Sequence, residues 1–109
     1  LDIVVVKQNG KRESYSREKI KRGIIQSLVK RPYTQEKFDR LINTIERDIQ
    51  KKRSKEITSD TLGDIVMKHL KKFDTVAYIR FASIYRAFED AKTFESELRL
   101  LGKKKKKSK

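Results

Sequence analysis

The chain has 109 residues, with 29 Lys and Arg against 15 Asp and Glu, a net charge of +14, 36% hydrophobic residues and no Cys. That length supports one domain, the lack of Cys excludes a disulfide framework or a thiolate metal site in these residues, and no apolar run approaches the roughly 18 residues of a membrane span. Six of the charges belong to Lys103–Lys109, a block that binds polyanions without selectivity, which leaves +8 of the +14 on residues 1–102.

Leu1 leads directly into an apolar run with neither an initiator Met nor a signal-peptide pattern, so a fragment of a cytosolic protein is the expectation. Residues 3–7 read as a strand, Asn9-Gly10 as a tight turn and residues 11–15 as a short return strand, because Asn-Gly tolerates the positive φ that hairpin turns need. Ser16 caps a helix whose opening turns carry Arg17, Lys19, Lys21 and Arg22, offset only in part by Glu18. Cations at a helix N-terminus oppose its dipole by a few tenths to about 1 kcal/mol each. A phosphate there would meet backbone donors, dipole and Lys side chains together; a solvated basic face is the ordinary alternative.

Ile20, Ile24, Ile25 and Leu28 continue that helix at helical spacing, and Pro32 is expected to stop it near Lys30. Thr34 caps a second helix with Phe38, Leu41, Ile42, Ile45 and Ile49 on one stripe, the clearest amphipathic pattern in the chain. After the polar stretch Lys51–Lys55, Ile57 adds a short strand beside the hairpin. Thr58 or Ser59 then starts a third helix, with Leu62, Ile65, Val66, His69, Leu70 and Phe73 on one face. Asp74 caps a fourth, in which only Arg80, Ser83 and Arg86 are polar between Val76 and Phe88. Such a helix is expected to run through the centre of the domain. Phe94, Leu98 and Leu101 extend it or form a final helix. The reading is an α+β domain over residues 1–101, a small hairpin or three-stranded cap on four helices, followed by a disordered Lys-rich tail at 102–109.

Little here suits catalysis. His69 stands alone at a core-facing position, the carboxylates Glu13, Asp60 and Asp64 are scattered, and Gly10 and Gly63 lie in unrelated elements, so no phosphate-binding Gly-rich loop is present. The chain is therefore not expected to be an enzyme. A binding constellation is stronger: Lys7 at the end of the first strand, Glu13 on the return strand and Lys19 in the first helical turn. A nucleotide under the hairpin would place phosphates against Lys7, Lys19 and the helix N-terminus, with Glu13 accepting from a base amine or ribose hydroxyl and Tyr85 offering an aromatic face. The ordinary alternative pairs Glu13 with Lys7 or Lys11 and buries Tyr85.

The segment Val5-Val6-Lys7-Gln8-Asn9-Gly10, with Glu13 and Lys19-Ile20, resembles the opening motif of the ATP-cone, a nucleotide-sensing domain at the N-terminus of many ribonucleotide reductases. Lys30-Arg31-Pro32 and the run Val76–Arg86 resemble more closely the ATP-cone of the NrdR family of bacterial repressors of ribonucleotide reductase genes. The resemblance covers residues 3 to about 98. It implies binding of ATP or dATP, with or without Mg2+, through Val5, Lys7, Gln8, Gly10, Glu13, Lys19 and Thr58, with Tyr85 beside the base. Gln8 stands where the family usually has Arg, which removes a charged phosphate contact.

The resemblance further implies allosteric control, in which the bound nucleotide selects a homo-oligomer and thereby DNA binding. Helix surfaces near residues 85–101 are the expected contact between copies. DNA contact and zinc belong in the family to an N-terminal zinc ribbon that these residues lack, and the implied location is cytoplasmic, at the nucleoid, with no membrane association. Two other readings stand beside it: the activity-regulating ATP-cone of a reductase, and a basic helical module that binds nucleic acid directly.

Overall fold

A computed structural model describes the backbone of residues 1–108, and all side chains among them except those of 86–89, 92, 93, 97 and 102–108. Three short strands, β1 (Val4–Val6), β2 (Arg12–Ser14) and β3 (Glu56–Thr58), combine with four helices: α1 (Arg17–Ser27), α2 (Gln35–Lys51), α3 (Ser59–Phe73) and α4 (Thr75–Ser108). The expected α+β cap on four helices is the observed architecture. β1 is central, antiparallel to β2 and parallel to β3.

The register sorts the strand residues by face. Val5 lies opposite Glu13 on one side and Ile57 on the other, and directly opposed residues share a face while neighbours along a strand alternate. Ile3, Val5, Tyr15 and Ile57 are buried on the helix side. On the outer face Arg12 and Glu56 form an ion pair that spans β1. The hairpin differs from the two-residue turn expected: Lys7 N–H donates to the Lys11 carbonyl at 2.8 Å and Gly10 N–H to the Lys7 carbonyl at 2.9 Å. Gln8, Asn9 and Gly10 thus make a three-residue loop, and only Gly10, at φ 83°, takes the left-handed conformation. The Asn9 side chain instead accepts from Lys11 N–H at 3.0 Å.

The helix starts follow local chemistry. Ser16, Thr34 and Thr58 accept from the backbone N–H three residues on, at 3.3, 3.2 and 3.1 Å, satisfying donors that a helix leaves open. The α2 stripe is buried as its spacing predicts, against Ile24, Leu28, Val66 and Leu70. α1 ends earlier than Pro32 requires. It stops at Ser27, Lys30 turns left-handed at φ 62°, and the Arg80 guanidinium donates to the carbonyls of Ser27 and Val29 at 3.2 and 2.7 Å.

α4 corrects a second expectation. It does not run through the centre; it packs against α1 and α3 with Ala77 buried and Tyr78 and Phe81 half-buried, while Ile79 and Ile84 remain 56% and 62% exposed. Apolar composition is not burial, because only one stripe of a helix can face its neighbours. The segment through Phe94, Leu98 and Leu101 continues α4 instead of forming a separate helix. The Lys-rich segment 102–109, read as a tail, lies outside the residues whose side chains are described.

Asp74 holds the start of α4. Its Oδ1 accepts from Ala77 N–H at 2.8 Å, and Arg31 Nε lies 3.2 and 3.0 Å from its two oxygens. The Ala77 N–H bond first, and Arg31 second, hold its carboxyl below the ordinary range despite opposing desolvation. Asp74→Ala should cost about 1–2 kcal/mol in urea unfolding at neutral pH. Because the folded pKa is depressed, the charge's contribution is complete above pH ~4 and is lost as pH falls through the folded value. Asp74→Asn should flatten that part of the acid limb, and an unchanged profile between pH 2 and 5 would contradict this role.

Candidate functional site

Lys7 directly follows β1 and stays paired with Lys11, so two residues beyond Val5 it keeps to the same, helix-facing side. There, beneath the hairpin loop, the buried face gives way to charge. Lys7 Nζ lies 3.2 Å from Glu13 Oε2, and Lys19 Nζ 3.4 Å from Glu13 Oε1. One carboxylate therefore takes an ammonium group on each oxygen. The Lys7 hydrogen bond foremost, joined by that of Lys19, holds Glu13 below the ordinary carboxylate range although desolvation opposes them.

The basic opening of α1 is balanced from outside the helix. Arg17 donates to Glu46 Oε1 at 2.8 Å and to Asn43 Oδ1 at 3.3 Å, both on α2, and Lys19 turns to Glu13. Tyr15, beside them, donates to Glu46 Oε2 at 2.9 Å; burial and then this carboxylate push its hydroxyl well above the usual tyrosine range. The α1 N-terminus keeps its cations through borrowed carboxylates.

A second group gathers at the α3 start. Thr58 spends its hydroxyl on the helix, at 3.1 Å from Thr61 N–H and 2.9 Å from Thr61 Oγ1. Asp60 Oδ1 accepts from the Tyr85 hydroxyl at 2.9 Å and from Gln8 Nε2 at 3.3 Å. The residues singled out in the sequence thus fall into two clusters: Lys7, Glu13 and Lys19 at one, Gln8, Thr58 and Tyr85 at the other. Val5 supplies the buried floor between strands and Gly10 the turn. Between Tyr85 and the α1–α4 groove lies a cavity of about 280 Å³ lined also by Gly23, Gln26, Ser27, Phe81 and Ile84.

His69 is satisfied, half-buried with Nε2 2.8 Å from Asp48 Oδ2, an oxygen it shares with Lys68 Nζ at 3.1 Å. Among the described residues no group of three or more His, Cys, Asp or Glu side chains is placed to hold a metal ion, and no helix is long and apolar enough to cross a membrane.

A family model described as the ATP cone domain matches residues 3–91. The chain belongs to the ATP-cone family. It is similar to proteins named transcriptional repressor NrdR: 43% identical over 99 residues to that of Pelotomaculum thermopropionicum, covering 91% of this chain and 60% of the relative. With those of Geobacillus sp. and Listeria welshimeri it shares 44% and 43% identity over 104 residues, covering 95% of this chain and 68% of each relative. This ATP-cone thus spans about two thirds of the length of the relatives it matches. They are named as repressors, not as enzymes.

The sequence reading of this ATP-cone took Asp60 for a scattered carboxylate and gave Gly63 no role, and linked neither to Tyr85. An ideal Cβ on Gly63 would lie 2.7 Å from Tyr85 Cε2 and 2.9 Å from Cζ, so the absence of a side chain lets the ring lie against α3. Gly63→Ala should displace Tyr85 and break its bond to Asp60. Overpacking of about 1–3 kcal/mol outweighs a helix-propensity gain of up to ~1 kcal/mol, so net destabilisation and a changed near-UV tyrosine spectrum are expected. A variant with wild-type stability and spectrum would contradict the contact.

Proposed function

We propose that this domain is the adenine-nucleotide sensor of a transcriptional repressor of ribonucleotide reductase genes, binding ATP or dATP beneath the hairpin loop. The observation that carries the reading is the meeting of Lys7 and Lys19 on one carboxylate beside the α1 N-terminus. Glu13 there supplies the negative charge that a phosphate would supply in its place, with helix N–H donors adjacent. Once released, Glu13 accepts from a ribose hydroxyl or base amine, and the Tyr85 ring faces the base. Any Mg2+ arrives with the phosphates, since the described side chains form no metal site.

Lys19→Ala should weaken ATP and dATP binding ten- to a hundredfold, the range for a lost charged hydrogen bond. Its side chain is 62% exposed, so the stability of the unliganded protein should hardly change. Unchanged ATP affinity in calorimetry would remove the phosphate site from this helix start.

Nucleotide identity sets the assembly state in this reading. Ile79, Ile84, Phe94, Leu98 and Leu101 are exposed along α4, more apolar surface than one helix of a monomer ordinarily presents. A nucleotide that favours one oligomer must bind that oligomer more tightly. DNA contact belongs to a longer protein acting in the cytoplasm at the nucleoid; no Cys for a zinc ribbon occurs in these 109 residues. Light scattering without nucleotide, with ATP and with dATP should give different masses. One mass in all three conditions, well above the dissociation constants, would make the domain a passive binder.

A further inference from the structure

Asp60 has no part in the nucleotide reading, yet its Oδ1 is where three elements meet. Tyr85 on α4 donates to it at 2.9 Å and Gln8 of the hairpin loop at 3.3 Å, across 25 and 52 residues of sequence. One turn further along α3, Gly63 leaves the space that brings the Tyr85 ring close enough for the bond. The carboxylate is itself well placed in the first turn of α3, where it complements the helix dipole. Nothing in the packing of the core requires the loop and α4 to share one oxygen.

We infer that Asp60 is a positioning residue: it latches the hairpin loop to α4 in the unliganded domain, and a nucleotide must open this latch to bind. The inference rests on the nucleotide reading above. In that reading Gln8, directly after Lys7, and Tyr85, under the base, belong to the two ends of the ligand. Phosphates drawn to Lys7 meet a repelling carboxylate at Asp60, and a base on the Tyr85 ring competes for the placement of its hydroxyl. Latch and ligand therefore exclude one another, and the latch lowers the apparent affinity by the fraction of molecules it keeps closed. Because Tyr85 is on α4, its release also carries occupancy of the site to the helix that presents the exposed apolar stripe.

The test is a double-mutant cycle read by calorimetry with ATP and with dATP. Asp60→Ala and Tyr85→Phe, which keeps the ring, should each tighten binding about three- to tenfold, Asp60→Ala the more because it also removes the Gln8 bond, and the double variant should gain no more than Asp60→Ala alone, which already removes the Tyr85 bond. Asp60→Asn retains an acceptor oxygen and should fall between wild type and Asp60→Ala. Without nucleotide, Asp60→Ala should speed amide exchange at Lys7 and Gly10, whose N–H groups close the loop, while core amides of α2 stay protected; a merely structural role would instead lower protection throughout. Wild type binding nucleotide while both single variants bind equally or more weakly, or gains that multiply in the double variant, would overturn the latch and leave the nucleotide reading standing. No binding by wild type would overturn the reading and the latch with it.

Discussion

Val5 lies at the middle of the three-residue strand β1 and Lys7 directly follows that strand, still paired with Lys11 across the hairpin, so one side of the hairpin must serve the core at Val5 and a charge at Lys7. Because the pairing with Lys11 carries the alternation of the strand one residue further, Lys7 stays on the side that Val5 takes. The ammonium is thereby committed to the side facing the helices, where Glu13, opposite Val5, and Lys19, at the start of α1, have to neutralise it. The hairpin fixes where Glu13 arrives, the cap at Ser16 fixes where α1 begins, and the parallel pairing with β3 brings the start of α3 to the same end of the sheet.

That arrangement also accounts for the basic opening of α1. Arg17 and Lys19 would oppose the helix dipole if left in water, yet each is held by a carboxylate from another element, Glu46 and Glu13. For these two cations the folded domain offsets the opposition to the helix dipole. The Lys19–Glu13 pair is largely exposed and contributes little to stability alone, whereas Glu46 is mostly buried beneath Arg17. Stability rests on the stripe of α2 against α1 and α3.

Features that act within a few residues were legible in the sequence: the caps at Ser16, Thr34, Thr58 and Asp74, the α2 stripe, and the short strand at Ile57. The charged half of the site was legible too, because Lys7, Glu13 and Lys19 lie within 13 residues. Asp60, Gly63 and Arg80 were not. Each acts on a partner 22 to 53 residues away, and nothing beside an Asp, a Gly or an Arg in a helix announces such a partner. α4 was misjudged for a related reason: a helix apolar on several sides does not state which side its neighbours will take, and among its described side chains the small Ala77 is the one fully buried.

The parallel pairing of β1 with β3 makes the two clusters unequal in their history. Lys7, Glu13 and Lys19 come together when a loop of a dozen residues closes, whereas Gln8 and Asp60 meet only after the chain has passed through β2, α1 and α2. Loop-closure entropy grows with the intervening length, and contacts distant in sequence form late. The cationic cluster is therefore the portion of the site that a partly unfolded or nascent chain can already present. The Tyr85 contact exists only once α3 and α4 have docked, so the cluster at Glu13 can assemble before the one at Asp60.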